Sequence, residues 1–298
     1  MKKILITGAS GFTGLHACKH FSDSGYKVIG LVNSNKTKGD NIPIYKCDLM
    51  EQKQLDIIIE KIKPDYILHL AGENNVKKSW ENPLHSFHVN VTGTLNLLES
   101  VRKFVPACRV LIVGSMIDFN PCNKMQANHP YGITKYFQSV LTQYWAGLFN
   151  IHALLAKPSN LVGPGRSSGV SSIFAQKIAT IEKRRGMAEL PIENIHAQRD
   201  FLDVRDAVKA YEVLLNKGEV QQTYEIGSGV SRSLMEVVTT LLVFSEAKVK
   251  CQTDPQAEPQ TPFLVNTSEI SELGWAPSIP FEQSMEDTLN YYRGVLEL

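Results

Sequence analysis

The chain has 298 residues, 43% of them hydrophobic, enough to bury a large core and too many for a disordered polymer. Lys and Arg number 31 against 30 Asp and Glu, and the formal charge of +1 excludes a broad basic field for nucleic acid or an acidic membrane. Cysteines at 18, 47, 108, 122 and 251 form no Cys-x-x-Cys pair, which argues against a disulfide framework and against a zinc knuckle.

Lys3 to Thr7 is a short β-rich run, Leu15 to Ser24 reads as a helix closed by Gly25, and Tyr26 to Val32 is a second apolar run of strand length. Together they make a βαβ unit. Ile42 to Cys47 reads as a strand, Glu51 to Lys63 as a helix stopped near Pro64, and Tyr66 to Ala71 as a buried parallel strand. Leu84, Phe87, Val91, Leu95, Leu98 and Val101 recur at helical spacing and predict one amphipathic helix over 81–103, about six turns long. The strand Val110 to Val113 follows, then a second long helix over 133–149 and the strand Ile151 to Ala156.

This alternation predicts an α/β fold with a doubly wound parallel sheet of Rossmann type. Past Pro158 the rhythm breaks. A glycine- and serine-rich loop precedes a helix over Ile173 to Arg185, and Phe201 to Val204 and Tyr224 to Ile226 read as strands returning to the sheet. The expected division is a nucleotide-binding domain over 1–158 with returning segments near 200–227, and a smaller discontinuous α/β domain over 159–199 and 228–298. No apolar run is long enough to cross a bilayer, and Ile4 to Thr7 is too short for a signal segment. A cytoplasmic protein with neither a membrane nor a nucleic-acid partner is expected.

Gly8-Ala9-Ser10-Gly11-Phe12-Thr13-Gly14 falls between the first strand and the first helix. There a tight turn lets backbone approach a pyrophosphate and the helix N-terminus faces it. After the second strand the chain reads Asn33-Ser34-Asn35-Lys36-Thr37-Lys38, without the acid that selects an NAD ribose. The two lysines of this stretch, Lys36 and Lys38, suit a 2′-phosphate, so NADPH is expected in preference to NADH, with Asn33 and Lys36 named as cofactor-binding residues. Asp48-Leu49 offers a carboxylate to the adenine, or else a helix cap.

Tyr131 and Lys135 stand one turn apart on a predicted helix, where an ammonium stabilises the phenolate that acid–base work requires. Ser115 lies at the C-terminal end of a strand, the edge where open α/β sheets collect ligands.

Over almost its full length the chain resembles the extended short-chain dehydrogenase/reductase family. The resemblance rests on the glycine turn, His69-Leu70-Ala71-Gly72, Asn90-x-x-Gly93-Thr94, Ser115, Tyr131-x-x-x-Lys135, Asn160-x-x-Gly163-Pro164-Gly165 and Arg199-Asp200-Phe201-x-x-Val204-x-Asp206. It implies a nicotinamide cofactor along Gly8, Gly11, Phe12, Thr13, Gly14, Leu70, Ala71 and Gly72. It also implies Ser115, Tyr131 and Lys135 as catalytic trio and a nucleotide-diphosphate sugar as substrate. Within the family the chain is similar to the GDP-4-keto-6-deoxy-mannose reductases, through Ser79 to Pro83, Val110 to Ser115 and Arg199 to Asp206. Arg199 matches the family's diphosphate arginine and Asn160 an asparagine near sugar and diphosphate. Lys157 stands where relatives carry arginine.

Departures from the pattern choose among reactions. Related dehydratases place acids just after the catalytic Ser or Thr, whereas Met116-Ile117 follows here; epimerase-reductases carry a cysteine at the place of Ile117. Phe119-Asn120 replaces the usual Tyr-Gly, and the arginine expected near Ala257 to Gln260 is missing. The expected activity is NAD(P)H-dependent reduction of the C4 ketone of a GDP- or UDP-linked 4-keto-6-deoxy-hexose. The rivals are a 4-epimerase or 4,6-dehydratase with tightly held NAD(P), and a non-enzymatic redox-sensing protein. No metal is expected, His16 and His20 being read as surface histidines. Trp80 and Trp145 are read as buried or interface anchors, and the helices over 81–103 and 133–149 as the interface of a homodimer.

Overall fold

The structure is a computed structural model that describes residues 1–33, 42–117, 129–185, 187–192, 194–253, 258 and 260–297. The chain groups into two compact units, Met1–Pro158 with Val208–Glu225 and Glu269–Trp275, and Ser159–Ala207 with Ile226–Ser268 and Ala276–Leu298.

The first unit alternates strand and helix: β1 (Lys3–Thr7), α1 (Phe12–Asp23), β2 (Lys27–Val32), β3 (Ile44–Lys46), α2 (Gln52–Ile62) and β4 (Tyr66–His69). Each stop has a local cause. Gly25 at φ +80° ends α1, and Lys63, left-handed at φ 46° and followed by Pro64, ends α2. Next come α3 (Val76–Glu81), α4 (Pro83–Phe87), a π turn over His88–Thr92, α5 (Gly93–Phe104), β5 (Arg109–Val113), α6 (Pro130–Phe149) and β6 (Ala153–Pro158).

The single helix expected over 81–103 is present from Pro83 to Phe104, where α4, the π turn and α5 follow one another without a gap, and only Glu81 and Asn82 fall outside it. Asn82 ends α3, and its side chain accepts the His85 N–H to start α4, with Pro83 in the first turn. The π turn then carries Asn90 into the interior, fully buried.

The other unit begins with β7 (Asn160–Val162), α7 (Val170–Arg184), β8 (Met187–Ile192) and β9 (Gln198–Asp203), and α8 (Val204–Lys217) follows. β10 (Thr223–Ile226), β11 (Ser231–Ser233), α9 (Leu234–Val243), β12 (Lys248–Thr253), α10 (Ser268–Glu272) and α11 (Phe281–Glu297) complete the chain.

One seven-stranded sheet runs β10-β6-β5-β4-β1-β2-β3, and the pairings among β1 to β6 are all parallel. Both faces are buried, as crossover helices require. Leu5, Ile67, Val110, Ile112 and Leu155 pack under α2, α5 and α6, while the alternate residues Ile4, Ile6, Leu68, Leu111 and Leu154 are buried on the opposite face. Strand order reverses between β1 and β4, the place where open α/β sheets bind ligands.

Of the two strands expected to return to this sheet, Tyr224 to Ile226 does so and Phe201 to Val204 does not. β9 lies instead in a three-stranded sheet, parallel to β7 and antiparallel to β11, and Val204 opens α8. Phe201 is buried there with Val162, Val237 and Phe281. The Asp200 carboxylate accepts hydrogen bonds from Ser159 Oγ, Ser228 N, Ser228 Oγ and Gly229 N, which holds β9 in that unit. Two short strands, β8 and β12, pair in parallel beside it.

Candidate active site

β1 hands over to Gly8 at φ +67°, and a Cβ there would lie 2.8 Å from Ala71 N, closer than real side chains come. A Cβ on Gly14 would lie 2.1 Å from the Gly8 carbonyl oxygen. The turn is thus packed backbone against backbone. Gly11 caps α1 without any side-chain hydrogen bond, so the first-turn N–H groups, with half-buried Phe12 and Thr13 among them, are available to an anion.

The loop after β4 is stitched to this turn: Leu70 N donates to the Thr7 carbonyl at 3.3 Å and Ala71 N to Thr7 Oγ1 at 3.1 Å. The cradle that a Cβ would fill, beside an uncapped helix N-terminus at the sheet's switch point, fits a dinucleotide phosphate. Asn33 is exposed at the end of β2, and Lys36 and Lys38 lie outside the described residues. Asp48 does not cap α2. Its carboxylate accepts from Met50 N at 3.0 Å, Glu51 occupies the cap position, and Asp48 remains exposed while Leu49 is buried against Gly93.

Lys135, Tyr131 and Ser115 are all buried. His129 accepts the Gly132 N–H on its Nδ1, and Pro130 fits the first turn of α6, so the helix begins just before Tyr131. Tyr131 N donates to Ser79 Oγ at 3.1 Å, and the His129 ring stands 5.9 Å from the Tyr131 ring. Ser115 Oγ accepts from Ile117 N at 3.0 Å.

One turn beyond Tyr131, Lys135 Nζ donates to Gln138 Oε1 at 2.9 Å and to the Val113 carbonyl at 3.3 Å. Among the described residues no carboxylate pairs with this ammonium, and burial pushes it down to about 8. A Cβ on exposed Gly72 would lie 3.6 Å from Lys135 Nζ and 2.9 Å from Asn90 Oδ1, so only a bare backbone leaves that side of the lysine open. Asn90 grips the same loop, taking the Glu73 N–H and donating to the Glu73 carbonyl and to Thr134 Oγ1.

Gln138 is the residue the motif reading missed. Its place three residues after Lys135, on the same helix face, was the available signal.

Lys157 is half-buried on β6, near Gly114. In the other unit, Asn160 Nδ2 donates to the Asp200 carbonyl at 3.0 Å. Arg199 is partly buried, gives Nη1 to the Gln198 carbonyl and, among the described residues, has no carboxylate partner. That is not the surface ion pair a spare arginine forms, and burial alone lowers its pKa.

Trp80, expected to be buried or at an interface, is 62% exposed, whereas Trp145 donates its indole N–H to Glu99. His20 meets Glu212 at 2.7 Å, and the His16 ring packs edge-on to Phe12. Asp118, the only acid near Ser115 in the sequence, lies outside the described residues, as do Phe119, Asn120, Ala257 and Pro259.

The model of the NAD dependent epimerase/dehydratase family matches residues 4–227. The GDP-6-deoxy-D-mannose reductase of Pseudomonas aeruginosa is 26% identical, over 97% of this chain and 96% of its own. A dTDP-glucose 4,6-dehydratase of Xanthomonas campestris is also 26% identical, over 97% and 92%. Among solved structures, RMD from Pseudomonas aeruginosa complexed with NADPH superposes with a TM-score of 0.83 at 24% identity, covering 99% of this chain and 100% of that one. A UDP-glucose 4-epimerase from Thermotoga maritima with UDP-glucose gives 0.86 at 22%, covering 99% of each. The chain is therefore an NAD(P)-dependent enzyme and a member of the NAD dependent epimerase/dehydratase family, within the extended short-chain dehydrogenases/reductases.

Proposed function

We propose that the protein reduces the C4 ketone of a nucleotide-diphosphate 4-keto-6-deoxy-hexose, GDP- or UDP-linked, with NADPH used in preference to NADH. The observation that carries the proposal is the Lys135 ammonium, buried one turn from Tyr131, met among the described residues only by neutral oxygens and bordered by Gly72. The nicotinamide, when bound, supplies the hydride. Gly8, Gly11 and Gly14 hold its phosphates, Tyr131 gives its proton to the ketone oxygen, and Lys135 stabilises the phenolate left behind. Ser115 orients the carbonyl.

The relative named as a GDP-6-deoxy-D-mannose reductase and the neighbour complexed with NADPH support this reading. So does apolar Met116-Ile117 after Ser115, since dehydration at C5 and C6 calls for further acid–base groups there. Asn160 and Arg199 of the other unit are assigned to the sugar diphosphate, a role suited to a guanidinium that has no acidic partner among the described residues, and Lys157 of the first unit is assigned to the sugar.

We also assign a homodimer, on the exposed apolar side chains Leu84, Phe87, Tyr144 and Leu148 of α4 and α6, and a cytoplasmic location. Light scattering that gives one chain per particle would remove the dimer. The test of the reaction is NADPH consumption with GDP- and UDP-linked 4-keto-6-deoxy-hexoses. Tyr131→Phe should lose at least about 100-fold in kcat while nucleotide affinity stays within about 2-fold. Turnover that needs no added cofactor would replace the reductase by an epimerase.

A further inference from the structure

A continuous buried hydrogen-bond chain runs behind Lys135, and its direction follows from a single bond. Thr94 Oγ1 donates to the Asn90 carbonyl at 2.7 Å, which leaves its oxygen as an acceptor. It therefore accepts from Gln138 Nε2 at 2.8 Å and from His69 Nε2 at 3.0 Å. With Nε2 protonated, His69 Nδ1 accepts from Thr7 Oγ1 at 2.8 Å, and Thr7 in turn accepts from Ala71 N.

The amide of Gln138 is thereby oriented. Its NH2 is committed to Thr94, so its carbonyl faces Lys135. Gln138, Thr94, His69 and Thr7 are each at most 1% exposed, and burial drives His69 down to about 3, so the link is neutral throughout.

We propose that Gln138 is a positioning residue for Lys135, its amide carbonyl pinned by the Thr94–His69–Thr7 chain so that the ammonium is fixed beside Gly72 and the end of β5. The role rests on the reading of Lys135 as part of the active site, but it concerns the lysine's own state and can be measured without substrate. Among the described residues, His69 on β4 is the titratable group that interacts electrostatically with the lysine, Tyr131 stands one turn before it on its own helix, and β5 contributes the Val113 carbonyl.

The test is a pH titration of the Lys135 side chain in the full-length, nucleotide-free protein, followed by NMR with carbon-13 at lysine Cε. Lys135→Met assigns the signal, and circular dichroism checks each variant's fold. Gln138→Leu removes the acceptor and should lower the lysine midpoint by about one pH unit. Gln138→Glu keeps the shape, adds a charge and should raise it by at least as much. Should the leucine variant fail to fold, the glutamate variant decides alone. Midpoints unchanged from wild type overturn the positioning role. In NADPH-dependent turnover, the alkaline limb of kcat should shift in opposite directions in the two variants, which simple loosening of the helix does not produce. Shifted midpoints without turnover on any 4-keto sugar would uphold Gln138 and remove the proposed reaction instead.

Discussion

Replacing Lys135 with Met keeps an unbranched side chain only one atom shorter and removes its charge, so the pH dependence isolates what burial of that charge costs. In the folded chain the lysine titrates at about 8 against an ordinary value of 10.5, because desolvation disfavours the ammonium. Between those values the unfolded chain binds a proton that the folded chain does not. Wild-type stability must therefore rise with pH across that window and stay level below pH 8, where both states are protonated. At about 1.4 kcal/mol per pH unit, the gap amounts to about 3 kcal/mol. The Met variant lacks this term, and its lost hydrogen bonds to Gln138 and Val113 are an offset that does not depend on pH.

The measurement is urea unfolding of both proteins, free of nucleotide, from pH 6.5 to 10.5. Both should carry Tyr131→Phe so that the neighbouring phenol does not titrate. Wild-type stability minus variant stability should climb by about 3 kcal/mol between pH 8 and 10.5. A difference that is flat with pH, or that falls, would refute the buried-charge reasoning.

The same linkage gives an acid limb at His69, whose folded value of about 3 lies far below its ordinary 6.5. Stability should fall as pH drops below 6.5, and His69→Asn should make that limb shallower by about 1.4 kcal/mol per pH unit, read from denaturant midpoints. Gly14→Ala places a Cβ 2.1 Å from the Gly8 carbonyl and should cost about 3 kcal/mol or more together with nucleotide affinity, by calorimetry and titration. Gly25→Ala has a left-handed backbone but open space, so it should cost only about 1–2 kcal/mol and leave nucleotide affinity unchanged. Equal effects at the two glycines would contradict the close-packed turn.

The order of elements through Pro158 is local information, and the sequence carries it: apolar runs mark β1, β2, β4, β5 and β6, and glycine, Lys63-Pro64 and Asn150 punctuate them. Tyr131 and Lys135 are equally local, because four residues on a helix return to one face. The fate of Phe201 to Val204 is not local. As a short apolar run it suits either sheet, and the choice of β7 and β11 falls to the Asp200 carboxylate collecting donors from residues 159, 228 and 229.

The start of the helix at Pro83 has a sequence cause in Asn82-Pro83, whereas the π turn over His88–Thr92 leaves the apolar spacing from Leu84 to Val101 unbroken and so leaves no mark in it. Gln138 shows the same limit. Three residues from Lys135 it could be named as a neighbour, but the direction of its amide depends on a threonine from α5 and a histidine from β4, brought together only when the sheet and its helices pack. Periodicity fixes which face a side chain takes; burial decides which partners it must find there, because a polar group out of water has to be matched by another brought from elsewhere in the chain.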